Sequence, residues 1–412
     1  MSGTRRSELW AGIAALPTGL RFLLATSFFM PLASFMVLPY LAILLHDRLG
    51  MAMGFVGLLL GVMSFLQFSG ALLGGLVAER IGLKKAMVTG LVIRTGGFAL
   101  FTACLSVPRA AVAAVLLTAC GDALYSPANK AYLVSRVPEV HRPVLLSVNN
   151  SALSSGMALG TLVSGLLIIR MPLLVFSLVT VMFAATTLAH LVVLERDLAV
   201  PRGREDRGGD WARAFLTPPA LVALVAAYVF WHFQNYLGVY ITDGYTAFVY
   251  SLALVLNSAL VILGQPLAAR WIGEVRYATA TVIAFTSLVL GLLAFSRPGV
   301  LFIVVGTVLI SVGEGIVFLK NELEALRAVP GRPALAIGSQ RLALGVGSFT
   351  SGIAGGHLYA YAQSGGDTGR FWLYAALQAV VATVVVALVT GARRVRGRAA
   401  VSPLAPSEEG GS

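Results

Sequence analysis

Charge is scarce in this chain. Only 12% of its 412 residues are Asp, Glu, Lys or Arg against 58% hydrophobic, which leaves too little polar surface to coat a water-soluble globule. The two cysteines, Cys104 and Cys120, are too few for a disulfide framework and read as small apolar packing residues. The five histidines lack metal-ligand spacing, and neither a Walker-type phosphate loop nor a serine-glycine elbow is present. ATP hydrolysis by that device, a histidine metal centre and serine-hydrolase chemistry are therefore excluded, and no cofactor or metal is expected. Acids are the rarer sign, 18 against 30 basic residues, for a formal net charge of +12. That excess does not imply nucleic acid as a partner, because the basic residues are dispersed through alternate connections between apolar runs. Arg5 and Arg6 precede the first run without a leader-type cleavage site, so that run is expected to be retained.

What is present is a series of apolar runs of about 20 residues, the length that crosses a bilayer as a helix. They begin near Leu20, Gly54, Ala86, Ala110, Val144, Pro172, Ala220, Ala247, Tyr277, Val300, Ala334 and Phe371. Backbone in hydrocarbon must satisfy its own hydrogen bonds, and barrel strands would be about half as long and alternating. The expected fold class is an all-α membrane protein of about twelve transmembrane helices. One set of connections carries Arg80, Lys84 and Lys85, then Arg136 and Arg142, Arg196 to Arg213, Arg270 and Arg276, Arg327 and Arg332, and Arg393 to Arg398. The other set carries a single arginine each, at Arg48, Arg109, Arg170, Arg297 or Arg370. The positive-inside rule then places both termini in the cytoplasm and the chain, as a multi-pass protein, in the inner (plasma) membrane.

The stretch 195–218, rich in Arg, Gly, Asp and Glu, is the one long polar connection. It reads as a cytoplasmic linker between a six-helix bundle at 1–194 and another at 219–392, with 393–412 as a disordered tail. The halves repeat at an offset of roughly 192 residues. Gly121-Asp122, Asn129 and Val137-Pro138 align with Gly313-Glu314, Asn321 and Val329-Pro330, and the register continues to Ser147 with Ser339 and Gly160 with Gly352. Two pseudo-symmetric bundles around a midplane site are a common transporter plan.

Ionisable residues deep in lipid are costly, about 2.5 to 3.5 kcal/mol on insertion scales, and point to function. At about 1.5 Å per residue, Asp122 and Arg94 fall near the midplane and are positioned to pair, while Glu314 holds the equivalent place in the tenth run with no basic neighbour in sequence. Asp122, Glu314 and Arg94 are the candidates for proton or cation coupling, against the plainer reading of a structural charge pair. Lys130, Lys320 and Glu322 lie near the ends of their helices and are expected to snorkel. The seventh run is unusually polar and aromatic, and Trp231, Gln234, Asn235 and Tyr236 are candidates to contact an amphipathic organic molecule. Asn149, Asn150, Gln67 and Asn257 have helix–helix hydrogen bonding as their plainer explanation.

The sharpest motif runs Gly75-Leu76-Val77-Ala78-Glu79-Arg80-Ile81-Gly82-Leu83-Lys84-Lys85. It resembles the signature loop of the major facilitator superfamily, with Glu79 where the family usually has aspartate. A glycine at Gly75 would admit a close neighbour, and Glu79 would rest against a helix N-terminus of the other half. The resemblance implies the major facilitator fold, alternating access, and a gating role for Gly75, Glu79, Arg80, Gly82, Lys84 and Lys85. Gly90 to Phe98 and Gly121 to Ala128 also resemble the drug:proton antiporter branch, including its multidrug exporters, although Leu116 and Leu117 stand where that branch has arginine and Thr161 where it has proline.

The expectation is a secondary active transporter, not an enzyme, acting by proton-coupled efflux of a small amphipathic compound. Its partners are a small-molecule substrate, the proton and the lipid bilayer, and it is expected to act as a monomer. Uptake of a small metabolite is the alternative direction. A membrane-embedded lipid-modifying enzyme is the alternative class, and the isolation of the acids in depth speaks against it.

Overall fold

A computed structural model of the chain describes residues 17–137, 142–195, 208–329 and 333–399. Helix α1 spans Thr18–Phe35 and continues through a short 3-10 turn and a π turn to Arg48. Then follow α2 (Met53–Phe68), α3 (Gly70–Ile81), α4 (Leu83–Cys104), α5 (Ala110–Ser135), α6 (Arg142–Leu167) and α7 (Pro172–Val193). The second half comprises α8 (Gly208–Phe215), α9 (Pro218–Thr242), α10 (Ala247–Glu274), α11 (Tyr277–Phe295), α12 (Val300–Ala328), α13 (Pro333–Ser364) and α14 (Gly369–Ala399). Helices α2 and α3 form one span, Met53–Ala78.

Ten of these spans are long and apolar enough to cross a membrane among the described residues. The other two, α6 and α13, are equally long but lean on glycine, serine and asparagine, such as Asn149, Gly156 and Gly160 or Ser348, Gly352 and Gly356. Small residues let helix backbones approach each other in lipid, so these two are less apolar because they are packing helices.

The repeat read in the sequence is a repeat of pairings. Helix α4 packs on α5 as α11 packs on α12, α1 on α6 as α9 on α13, and α4 on α7 as α11 on α14. Between halves, α2 meets α13 and α6 meets α10, again an exchange of equivalent helices. The polar stretch at 195–218 is not wholly irregular, since α8 lies within it and packs on α13 and α9. Residues 196–207 lie outside the described residues, as do 400–412, while α14 continues to Ala399, into the segment expected as a tail.

Local chemistry sets the joints. Proline opens α7 and α9 at the first turn, where its missing N–H costs nothing. Pro127 sits inside α5 and leaves the Ala123 carbonyl without its helical donor, and α3 passes closest there: a Cβ on Gly74 would overlap that oxygen. This corrects the expectation for Gly75, which has nothing within 4 Å of the position a Cβ would take. One residue along a helix turns the side chain by about 100°, so the close approach belongs to Gly74 and not to its neighbour. Cys104 is buried as expected, whereas Cys120 is exposed on α5.

Candidate functional site: a cavity between the two halves

Between the halves lies a cavity of about 520 Å³ whose wall draws on α1, α2, α4, α5, α6, α9, α10 and α12. Its lining runs from Pro39 and Ala42 to Lys130, in the last turns of α5. At the Pro39 end the halves are in contact. Tyr40 Oη of α1 shares a 2.5 Å hydrogen bond with Ser251 Oγ of α10 and lies 3.2 Å from the Thr161 carbonyl. Tyr250 Oη donates to the Pro39 carbonyl at 3.1 Å, and the Tyr40 and Tyr250 rings meet edge to face with centroids 5.4 Å apart. Alongside, α2 and α13 touch backbone to backbone: a Cβ on Gly57 would overlap the Gly352 carbonyl, and one on Gly356 would lie 2.8 Å from the Met53 carbonyl.

All three residues expected to handle ions reach this cavity. Arg94 of α4 and Asp122 of α5 form a salt bridge, with the Arg94 side chain 7% and the Asp122 side chain 27% exposed, so the carboxylate is the member that faces the cavity. Arg94 also donates to Ser34 Oγ of α1 at 2.9 Å and lies 5.0 Å from the Phe183 ring centroid of α7, which joins four helices around one guanidinium. Glu314 of α12 accepts a hydrogen bond from Asn257 Nδ2 of α10 at 2.8 Å, and the same nitrogen lies 2.9 Å from Ser311 Oγ.

Of the four residues expected to touch substrate, Trp231, Gln234 and Asn235 line the cavity. They stand at i, i+3 and i+4 on α9 and share one face. The Trp231 ring meets Phe68 of the other half edge to face at 5.1 Å, and Asn235 reaches the lining although its Nδ2 is buried without a partner among the described residues. Tyr236 is set apart from them. It is fully buried on the adjoining face, stacks on Tyr359 and donates from its hydroxyl to the Gly352 carbonyl at 2.6 Å, so it supports the α9–α13 packing and is no part of the cavity wall.

The expected gating residues lie away from the cavity. Gly82 joins α3 to α4 with φ of +98°, a conformation open to glycine, and Arg80 and Lys85 are exposed. Lys84 donates to the carbonyls of Leu191, at 3.0 Å, and Leu194, the orphan acceptors at the end of α7. The side chain of Glu79 lies outside the described residues.

Several polar residues with a plainer sequence reading have defined places in the structure. Lys130 lines the cavity, and Asn129 beside it is buried, its Oδ1 without a partner among the described residues. Asn149 accepts from Ser27 Oγ at 2.6 Å, and Asn257 holds Glu314. Lys320 does not snorkel: at 3% exposure it donates to the Gly273 carbonyl at the end of α10 at 3.1 Å, with Glu324 3.6 Å away. The signal for Tyr40 and Ser251, a hydroxyl in each of two distant apolar runs, was too weak to find them.

Comparison with known proteins adds the lineage. The sequence profile of the Major Facilitator Superfamily matches residues 23–321. The MFS-type transporter Rv0849 of Mycobacterium tuberculosis is 29% identical over 368 residues, spanning 83% of this chain and 86% of that one. The multidrug resistance protein MdtH of Edwardsiella ictaluri is 31% identical over 156 residues, 38% of this chain and 39% of its own length. Among solved structures, the nucleoside transporter NupG superposes with a TM-score of 0.76 at 13% identity, covering 90% of this chain and 98% of NupG. An auto-inhibited POT family peptide transporter gives 0.76 at 14%, covering 96% and 99%. At these identities the structures share the fold alone.

Proposed function

The chain belongs to the Major Facilitator Superfamily of transporters, and from that premise we propose that it is a secondary active exporter of a small amphipathic organic compound, driven by proton influx. The observation that carries this reading is the pair of acids, Asp122 and Glu314, which the repeat places at one register and which reach one cavity from opposite halves. Phe68, Phe230 and Trp231 supply flat apolar wall, and Gln67, Gln234 and Asn235 supply polar side chains among the lining residues, a combination suited to a molecule with an aromatic body and a polar edge. The partial likeness to MdtH, named as a multidrug resistance protein, supports export.

The basic connections put the Gly82 end in the cytoplasm, so the Tyr40–Ser251 contacts close the outer side and the cavity faces inward. The bundles 1–194 and 219–392 rock about the cavity, acting as a monomer, with the linker at 195–218 joining them. Trp231, Gln234 and Asn235 contact substrate, Asp122, Glu314 and Arg94 form the ion-coupling site, and the connection from Glu79 to Lys85 gates the inner side. In reconstituted vesicles with an imposed pH gradient, a screen of amphipathic compounds should find ones that move against their gradient. If proton flux answers to none of them, the export reading fails.

A further inference from the structure

The two acids of the cavity share a register and differ in chemical setting. Asp122 meets the guanidinium of Arg94, whose other contacts are the Ser34 hydroxyl and the face of Phe183. Protonating Asp122 would strand a buried guanidinium beside a neutral acid, and an uncompensated buried charge is strongly unfavourable. Glu314 has no salt bridge among the described residues. Its Oε2 accepts from Asn257 Nδ2 at 2.8 Å, Ser311 Oγ accepts from the same nitrogen at 2.9 Å, and Ser311 in turn donates to the Thr307 carbonyl at 2.7 Å.

An amide N–H donates to a carboxylate oxygen or to the carbonyl oxygen of a carboxylic acid, so this cradle holds both forms of Glu314 without rearrangement. No hydrogen bond from the described residues reaches Oε1, and Glu314 lines the cavity, which leaves that oxygen to exchange a proton with cavity water. The other charged groups on the wall are Lys130 and the Arg94–Asp122 pair. Among the helices packed on α12, α9 turns His232 towards Ser351, α10 pairs Arg270 with Glu274 and turns Tyr250 to the Pro39 carbonyl, α11 bonds Tyr277 to Asn321, and α13 holds Arg341 6.0 Å from the Phe68 ring centroid. On α12 itself Lys320 faces Glu324 and the Gly273 carbonyl. None of these forms an ion pair with Glu314.

We propose that Glu314 alone of the two acids carries the exchangeable proton, with Asn257 as its positioning residue, and that Asp122 stays ionised against Arg94 throughout the cycle. This rests on the proton-coupled reading above. A proton from water adds to Oε1 of the Glu314 carboxylate and gives the neutral acid; release returns the proton to water in the other compartment and restores the carboxylate. Asn257 keeps its bond to Oε2 in both states. Asp122 and Arg94 together contribute no net charge change.

Dicyclohexylcarbodiimide tests this on the full-length protein in detergent. It reacts with a protonated carboxyl group in apolar surroundings: the acid proton moves to a carbodiimide nitrogen, the carboxyl oxygen bonds to the central carbon, and an acyl shift to nitrogen leaves an N-acylurea with every atom retained. Peptide mass spectrometry should place the adduct on Glu314, falling as pH rises and exceeding any adduct on Asp122 by at least about ten-fold. Arg94→Gln should raise labelling of Asp122.

The pH profile of Glu314 labelling should move in Asn257→Leu and return in Asn257→Gln; an unmoved profile in Asn257→Leu removes the positioning role. Comparable labelling of Asp122 in the unaltered protein, or no adduct on Glu314 at any pH, overturns the proposal. Labelling of Glu314 without transport in vesicles would refute proton coupling and leave the assignment of the exchangeable proton standing. Transport without labelling would refute this assignment alone.

Discussion

The hydroxyls of Tyr40 and Ser251 lie 2.5 Å apart, one on each half of the molecule and 211 positions apart in sequence. They close the cavity at the end where Tyr250 also reaches the Pro39 carbonyl. A net hydrogen bond contributes about 1 kcal/mol, so loss of one should shift the balance between closed and open outer states by about five-fold. Tyr40→Phe should therefore speed modification of Ala42→Cys, on the cavity wall, by an impermeant maleimide added outside, in a background lacking Cys104 and Cys120. An unchanged rate would remove these hydroxyls from the seal.

Glycine positions separate closure from filler. Gly57→Val pushes a side chain into the Gly352 carbonyl and should cut transport by about five-fold or more, because overpacking costs about 1 to 3 kcal/mol in the closed state alone. Gly75→Ala meets open space in a helix interior and should leave transport intact while stabilising by about 0.5 to 1 kcal/mol. Parallel transport and thermal-unfolding assays check both, and equal effects at the two positions would refute the seam.

Tyr236→Phe and Trp231→Ala should separate support from recognition. The first removes the hydroxyl's bond to the Gly352 carbonyl across the α9–α13 contact and should cost about 1 kcal/mol in stability with KM for substrate unchanged. The second removes cavity wall and should raise KM. A KM change in Tyr236→Phe would return Tyr236 to the binding site.

For the buried pair, Asp122→Asn leaves Arg94 without a counter-charge and should destabilise by about 3 to 5 kcal/mol, whereas the double replacement Arg94→Leu with Asp122→Leu should recover much of that loss. Thermal unfolding of the purified variants checks the order, and a double variant no better than the single one contradicts the pairing.

Much of this was legible in the chain because it is periodic. The register that aligns Asp122 with Glu314 is a property of sequence, and both residues reach the cavity. Trp231, Gln234 and Asn235 follow the helical spacing of one face, and the same spacing excludes Tyr236, which an inventory of residue types on α9 does not reveal. Phase decided between Gly74 and Gly75 in the same way, and phase depends on which neighbour packs where. Contacts across long separations left no local trace: Lys84 reaches carbonyls at Leu191 and Leu194, and Lys320 finds the end of α10 instead of the membrane surface. Hydropathy also understated α6 and α13, because the glycine and serine that pack them lower their apolarity.

On the proposed reading, proton movement through this cavity drives a substrate the other way. The most direct measurement uses inside-out vesicles with an acidic lumen and a fluorescent amphipathic compound. Accumulation should collapse when the pH gradient is dissipated and should be lost in Glu314→Gln. Accumulation that survives both the loss of the gradient and the loss of the Glu314 carboxyl would contradict it.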